Sequence, residues 1–102
     1  MEQIKFTYNW NNKLDCNFFT TIRLQSKKFE KNKNFEIVLK NQVHCKVVIV
    51  DMWICKINDL KDFVCYLDTG YNNKETINMF KKMYSGVDFT QTNMVLLLLK
   101  KV

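Results

Sequence analysis

Apolar and polar side chains alternate from the start of the chain. Apolar residues stand at every second position from Ile4 to Trp10, a period typical of a β-strand with one buried face. Aromatic and β-branched residues fill Phe18–Leu24, and short apolar stretches cover residues 35–39 and 94–99. Each of these is typical of a strand. Residues 9–17 and 25–34 are polar and are expected to form loops, and a turn is expected at 40–42.

Residues 43–56 form the longest β-like stretch. Its middle is apolar on both faces, as expected for a strand between a sheet interior and a covering helix. Its length predicts a bend or a bulge. Ile49, Asp51 and Trp53 fall on one face, so we expect Trp53 in the core. Asp51 is expected to pair with a cation, Arg23 or a lysine, or to lie at the barrel opening.

The pattern then changes to a helical period. Asn58 or Asp59 can cap a first helix, and Gly70 is placed to end it. Its predicted buried face has the spacing i, i+3, i+4, i+7 and consists of Leu60, Phe63, Val64 and Leu67.

A second helix is predicted to begin after Asn72. Glu75 follows the capping residue at the spacing of a capping box, and Gly86 is placed to end the helix. The predicted buried face consists of Ile77, Phe80 and Tyr84.

The resulting element order is β, β, β, β, α, α, β. Such an order predicts one α+β domain over residues 1–102, with no internal repeat and no linker. We expect a small, curved, mostly antiparallel β-barrel with two helices packed at one side.

Composition adds a basic charge to this picture. Sixteen Lys and Arg residues against ten Asp and Glu residues give a net charge of +6, and Arg23 is the single arginine. Lysine and asparagine share AT-rich codons, so codon bias and a solvated surface are one explanation of the excess. An anionic partner, most often nucleic acid, is the other. A membrane surface is not expected, because no basic amphipathic helix is present.

The remaining composition excludes several kinds of site. No apolar leader-like segment occurs among the first twenty residues, so a cytoplasmic location is expected. Cys16, Cys45, Cys55 and Cys65 include no C-x-x-C pair, and His44 is the only histidine. We therefore expect four reduced thiols, no metal site and no cofactor.

Two stretches carry a resemblance to a known family. The strand end 20–23 reads Thr-Thr-Ile-Arg and is followed by a lysine-rich loop and another strand. Residues 67–71 read Leu-Asp-Thr-Gly-Tyr and precede a capped helix that ends Phe-Lys-Lys-Met-Tyr at 80–84. Over residues 17–100 the chain resembles the ASCH family of the PUA-like superfold. The resemblance implies a small curved barrel with a basic cleft, in a group of proteins that bind RNA or modified bases.

One small branch of that family hydrolyses acetylcytidine, with a Lys, a Thr and a Glu as catalytic groups. At the corresponding positions this chain has Phe18, Thr21 and a site near Thr69, next to Asp68. Lys13 lies on the same side of the motif and could in principle reach into the site, but its spacing differs from that of the catalytic lysine. Because phenylalanine cannot supply an amine, the resemblance argues against an enzyme and predicts no catalytic residues. Thr21 and Asp68 would be remnants of a degenerate site.

The strand and the loop after it supply candidate binding groups. If Ile22 faces the core, Thr21 and Arg23 lie on the opposite face of the strand. Arg23 can clamp a phosphate or a base edge, or pair within the chain with Asp51, Asp68 or Glu36. The predicted nucleic-acid-binding set is Thr20, Thr21, Arg23, Lys27, Lys28, Lys31, Lys33 and Tyr71. The alternative for the lysines is a solvated loop.

Three functions follow as hypotheses. The first is a module, monomeric or weakly dimeric, that binds RNA or single-stranded nucleic acid in a basic cleft, with a modified nucleoside as a further ligand. The second is a hydrolase of the acetylcytidine type. The third is a protein-interaction factor of a mobile element or virus.

Overall fold

The computed structural model describes residues 1–102 and has α+β architecture. The chain forms five strands, two α-helices and two short 3-10 helices. The strands are β1 (Gln3–Phe6), β2 (Phe18–Leu24), β3 (Asn34–Leu39), β4 (Gln42–Cys55) and β5 (Met94–Lys101). The α-helices are α1 (Asp62–Thr69) and α2 (Asn73–Met83), and the 3-10 helices are Trp10–Asp15 and Ile57–Asp59.

The five strands make one sheet in the order β1-β3-β4-β5-β2. β1 pairs with β3 in parallel, and the other neighbours are antiparallel. The sheet curls into a half-barrel, so the barrel expected from the sequence is open on one side. β1 and β2 are the two edge strands. The opening of the half-barrel lies between them.

The first strand is shorter than the alternation predicts. β1 ends at Phe6, Tyr8 is exposed, and Trp10 begins a 3-10 helix. The predicted strand over Ile4–Trp10 and the predicted loop at residues 9–17 were therefore wrong in part. β2 occupies Phe18–Leu24 as predicted, because its two faces are both buried and the strand is specified along its length.

The predicted bulge in β4 is confirmed, and it changes which side chains face the core. The register shifts between Ile49 and Asp51, so Met52 pairs opposite Leu97 on the inner side. Trp53 is turned outward and is 49% exposed, so its prediction as a core residue was wrong. Asp51 is exposed and lies 3.9 Å from Lys31, which agrees with the expected lysine pair and excludes Arg23 as its partner.

Two hydrophobic cores lie on opposite faces of the sheet. The first fills the concave face and is built on fully buried side chains from β3, β4 and β5: Phe35, Ile37, Val47, Ile49, Leu97 and Leu99. The second lies between the helices and the other face of β2, β4 and β5. It includes Ile22, Cys55, Leu60, Cys65, Phe80 and Met94.

The face that helix α1 buries was predicted correctly only in part. Leu60, just before the helix, is buried and Val64 is half-buried, as predicted. Phe63 is 60% and Leu67 is 69% exposed, whereas Cys65, Asp68 and Thr69 are buried. The helical spacing alone predicted that the larger apolar residues are buried. The polar face is buried instead, because Asp68 finds charged and hydroxyl partners on β2 and the Trp10–Asp15 helix. Gly70 ends α1 in the left-handed conformation, as predicted.

Helix α2 begins with the predicted capping box. The Asn72 side chain accepts from the Glu75 backbone N–H at 2.8 Å, and the Glu75 carboxylate reaches back to the Asn72 N–H. Phe80 is buried on the predicted face, with Ile77 and Tyr84 half-buried beside it. The capping box fixes where α2 starts, and hence which of its residues face the opening of the half-barrel.

The structure contains no helix that meets the length and apolarity needed to cross a bilayer. All four cysteines are free thiols.

Candidate functional site

A cleft lies between the edge strands β1 and β2. Its deeper part, which we call the inner pocket, has a volume of about 80 Å³. Its polar lining includes Lys13, Thr21, Arg23 and Asp68. Phe6, Trp10 and Tyr84 contribute aromatic walls. The cleft continues into an outer groove of about 420 Å³, where Arg23 and Tyr84 meet Lys5, Ser26 and Lys28.

Strand alternation in β2 places two of these side chains. Thr21 and Arg23 pair opposite Leu97 and Val95, whose side chains belong to the concave core, whereas Ile22 packs in the second core with the helices. The expected division of β2 is therefore confirmed. Thr21 is 2% exposed, and Arg23 stands nearer the opening and is partly exposed.

Arg23 joins the two edge strands across the cleft. Its Nε donates to Thr21 Oγ1 at 3.0 Å, and its Nη1 donates to the Lys5 carbonyl oxygen at 2.8 Å. The guanidinium lies 4.4 Å from the centre of the Phe6 ring, within the range of a cation–π contact. No carboxylate lies within 4.0 Å of it, so the alternative of an intramolecular pair with Asp51, Asp68 or Glu36 is excluded.

Arg23 keeps hydrogen-bonding capacity for a ligand. A guanidinium has five N–H groups. Two of the five are used, which leaves three, including both on Nη2. No buried side-chain nitrogen or oxygen in the protein lacks a partner, so Nη2 is in contact with solvent. Burial lowers the pKa of Arg23, but an arginine stays charged in proteins.

Two asparagines bring Lys13 to the cleft. Asn11 and Asn12 both have positive φ, at 59° and 54°, a conformation that asparagine tolerates better than most residues. The Asn11 amide donates to the carbonyl oxygens of Tyr66 and Leu67 at 3.0 and 3.3 Å, which fixes this turn on the end of α1. The next residue, Lys13, is thereby directed inward and is 7% exposed.

A buried ion pair forms the base of the inner pocket. Lys13 Nζ lies 2.9 Å from Asp68 Oδ1, which also accepts from Thr20 Oγ1 at 2.7 Å. Asp68 is 2% exposed. Its other oxygen, Oδ2, makes no hydrogen bond within the protein, and since no buried oxygen is unpartnered it faces the pocket. The pocket therefore presents donors from Lys13 and Arg23 and an acceptor from Asp68.

The surroundings of Lys13 lower its pKa. Burial lowers the pKa of the ammonium below its usual value of 10.5, and the neighbouring Arg23 lowers it further. The Asp68 carboxylate opposes both by its charge and its hydrogen bond. An amine with a lowered pKa beside a carboxylate and a hydroxyl has the properties of a proton-transfer group.

The lysine-rich loop contributes only in part. Lys28 lines the outer groove, with Nζ 3.4 Å from the Gln3 carbonyl oxygen. Lys33 is paired with Glu2 at 2.9 Å and Lys31 lies near Asp51. Lys27 is exposed and does not line the cleft. The structure thus places one of the four predicted lysines in the cleft.

The predicted aromatic residue lies beyond the inner pocket. Tyr71 is 42% exposed and meets Trp10 edge-on, with ring centroids 6.2 Å apart. Trp10 is shared between the inner pocket and a further groove that Tyr71 lines. Tyr71 is therefore separated from Arg23 by the width of the inner pocket.

Lys13 lines the cleft although its spacing from the motif argued against it. Its partner Asp68 is 55 residues away along the chain, so no local spacing reveals the pair. The available signal was the Asn11–Asn12 dipeptide, which favours a left-handed turn and so redirects the chain. Phe18, the position that matches the family's lysine, is half exposed and lies outside the cleft.

Comparison of this chain with protein-family models, with curated proteins and with solved structures found no match.

Proposed function

We propose that the protein is a PUA-like module of the ASCH type that binds RNA or single-stranded nucleic acid in the cleft between β1 and β2. The observation that carries this proposal is the position of Arg23. It stands where the inner pocket joins the outer groove, without a carboxylate partner and with three N–H groups unused. Arginine in this state suits a base edge or a phosphate.

The dimensions of the cleft indicate how a nucleotide fits. The inner pocket holds about two or three water molecules by volume, so it admits the edge of one base and not a whole nucleotide. The outer groove is about five times larger, at 420 against 80 Å³, and its cations Lys5 and Lys28 suit a sugar-phosphate. An unpaired base is required, because the paired edges of a duplex cannot enter a pocket of this depth.

The first test is fluorescence anisotropy of a labelled single-stranded RNA, a DNA of the same sequence and a duplex, at two salt concentrations. We expect both single strands to bind more tightly than the duplex, with affinity falling as salt rises. Lys28→Ala should lower the slope of log affinity against log salt by about 0.7, the value for one phosphate contact on a single strand.

Arg23→Gln should weaken binding by about 1–3 kcal/mol, as for loss of a bidentate base contact. Because Arg23 also bridges β1 and β2, the thermal unfolding of the Arg23→Gln variant is measured together with its affinity. Lys46→Ala is the matched control, since Lys46 is an exposed lysine on the central strand β4 and does not line the cleft. Unchanged affinity in both Lys28→Ala and Arg23→Gln contradicts the proposal.

A second candidate is hydrolysis of an acylated nucleoside. It is favoured by the gathering of Lys13, Thr21 and Asp68 in one pocket, a lysine, a hydroxyl and a carboxylate as in the acetylcytidine-hydrolysing branch. A pocket of about 80 Å³ accepts a group of acyl size. In this mechanism Lys13, in its neutral form, takes a proton from water as the water oxygen attacks the acyl carbon. The bond between the acyl carbon and the exocyclic nitrogen then breaks, Lys13 returns the proton to that nitrogen, and cytidine and acetate leave. Asp68 orients the amine.

Chromatographic detection of cytidine after incubation with acetylcytidine tests the second candidate. We expect turnover in the wild type and its loss in Lys13→Met, with Lys46→Ala unchanged. Absence of turnover above buffer leaves the binding proposal standing alone.

A further inference from the structure

A third cavity adjoins the cleft and has a different chemistry. We call it the aromatic groove. It has a volume of about 320 Å³ and is lined by Trp10, Tyr71, Glu75, Asn78, Met79 and Lys82. Trp10 and Met79 also line the inner pocket. The two cavities therefore lie next to each other, with Trp10 and Met79 as their common wall.

The aromatic rings form an ordered corner. Trp10 and Tyr71 have centroids 6.2 Å apart and planes at 77°. Tyr8 supports Trp10 from another direction, at 5.3 Å and 56°. A planar ring stacked on one of two perpendicular rings meets the other with its edge, and both contacts are favourable for aromatic systems. The half-buried Trp10 is thus held in place, while the exposed Tyr71 is available to a ligand.

The polar residues at the corner suit a nucleotide. Asn78 offers both a donor and acceptor to a base edge. Lys82 is exposed and forms no ion pair within the chain, so it is available to a phosphate. An apolar peptide side chain would use the rings but leave Asn78 and Lys82 without a role.

Resting on the proposed function, we propose that the aromatic groove binds a second unpaired base, next to the one held at Arg23. The strand then runs from the outer groove, across the inner pocket and onto Trp10 and Tyr71. The smallest ligand that uses the whole site is therefore a dinucleotide. Stacking is tolerant of base identity. This subsite should therefore make a dinucleotide bind more tightly than a mononucleotide, with little preference for sequence.

The test compares adenosine monophosphate with the dinucleotide ApA as competitors of a labelled oligoadenylate, all in the RNA or the DNA form, whichever the wild type binds more tightly. We expect ApA to compete more strongly. Tyr71→Ala should weaken ApA by about fivefold to 150-fold, the range for loss of one stacked base. The same variant should leave adenosine monophosphate unchanged, and Tyr71→Phe should behave as wild type.

Tyr66→Ala is the matched control, because Tyr66 is another exposed tyrosine and lies on α1 outside the groove. A second readout uses Trp53→Phe, which leaves Trp10 as the only tryptophan. In that background ApA should quench the emission of Trp10 more than the mononucleotide does. Trp53 is half exposed on β4, so this change is compatible with folding.

The outcomes separate the two proposals. If Arg23→Gln weakens the oligoadenylate but Tyr71→Ala and Tyr66→Ala behave alike, the aromatic subsite is overturned and the cleft proposal stands. If adenosine monophosphate and ApA compete equally in the wild type, the subsite is also overturned. If the wild type binds no oligoadenylate at low salt, both proposals fail.

Discussion

The centre of the sheet and its open side are stabilised in different ways. At the centre, β4 pairs with β3 and β5, and the concave face holds side chains such as Val47, Ile49 and Leu97 with no solvent exposure. Backbone hydrogen bonding and apolar burial act together there. Such a region tolerates no change of volume without loss of stability.

The open side has neither strand pairing nor a purely apolar interior. β1 and β2 are joined by the side chain of Arg23, and the space between them holds the Lys13–Asp68 pair. Burying two charges costs several kcal/mol per ion in desolvation, and apolar replacements are often as stable. We therefore expect replacement of both charges to leave the fold stable. That difference supports the cleft as the site of the proposed binding.

The largest expected effect comes from breaking the ion pair on one side only. Lys13→Met leaves the Asp68 carboxylate buried without its cation, so we expect the free energy of unfolding to fall by about 3–5 kcal/mol. Urea denaturation measures it. The double variant Lys13→Met/Asp68→Asn removes both charges and keeps an acceptor for Thr20. It should recover most of that loss. It no longer offers a ligand the Lys13 ammonium or the Asp68 carboxylate, whereas Arg23 stays in place.

A loss of less than about 1 kcal/mol in Lys13→Met would contradict this account of the pair, since a lone buried charge costs more than that.

A cavity at the centre of the sheet should lower stability and leave binding unchanged, which is the opposite of the effect expected for the double variant. Leu97 is fully buried opposite Thr21 and Met52. Leu97→Ala should lower the free energy of unfolding by about 2–5 kcal/mol. Single-strand affinity of the folded protein should stay near that of the wild type. A stable double variant with weakened binding, beside a less stable Leu97→Ala variant with unchanged binding, would separate the two regions. Loss of binding in Leu97→Ala would show that they are coupled.

The same contrast explains how much of the structure the sequence predicts. β2 and the bulged β4 follow from stretches rich in β-branched and aromatic residues, and β5 follows from a continuous apolar run. The capping box at Asn72 and the helix end at Gly70 follow from local chemistry. These features depend on neighbours in the chain.

The cleft depends on partners that are distant in the chain. Helix α1 buries Asp68 and exposes Leu67 because Lys13 and Thr20 reach Asp68 from another element. Periodicity ranks residues by hydrophobicity and so selects the wrong face. Thr21 and Arg23 were found from strand alternation, since both belong to β2. Lys13 was not, because its direction is set by the left-handed turn before it.

The smallest expected effect is on how the free energy of unfolding changes with pH in the alkaline range. The contribution of Lys13 in the cleft has the opposite sign to that of the buried thiols. Burial raises the pKa of the Cys45, Cys55 and Cys65 thiols above 9.0. Above that pH the unfolded chain releases protons that the folded protein keeps, so these thiols make the free energy of unfolding fall as pH rises. Burial lowers the pKa of Lys13 below 10.5. Between the lowered value and 10.5 the unfolded chain binds more protons at this residue, so its contribution rises with pH.

Lys13 therefore offsets part of the loss caused by the thiols, by at most about 1.4 kcal/mol per pH unit. In urea denaturation under reducing conditions, we expect the free energy of unfolding to fall above about pH 9. The fall should be steeper in Lys13→Met/Asp68→Asn than in the wild type, because the offset is gone. Leu97→Ala, which leaves Lys13 in place, should be parallel to the wild type at lower stability. Equal slopes in the double variant and the wild type would mean that Lys13 releases its proton as readily in the unfolded chain as in the cleft. The ammonium would then be stabilised by Asp68 as fully as by water, and the cleft would hold a permanent cation for an anionic ligand in place of a proton-transfer group.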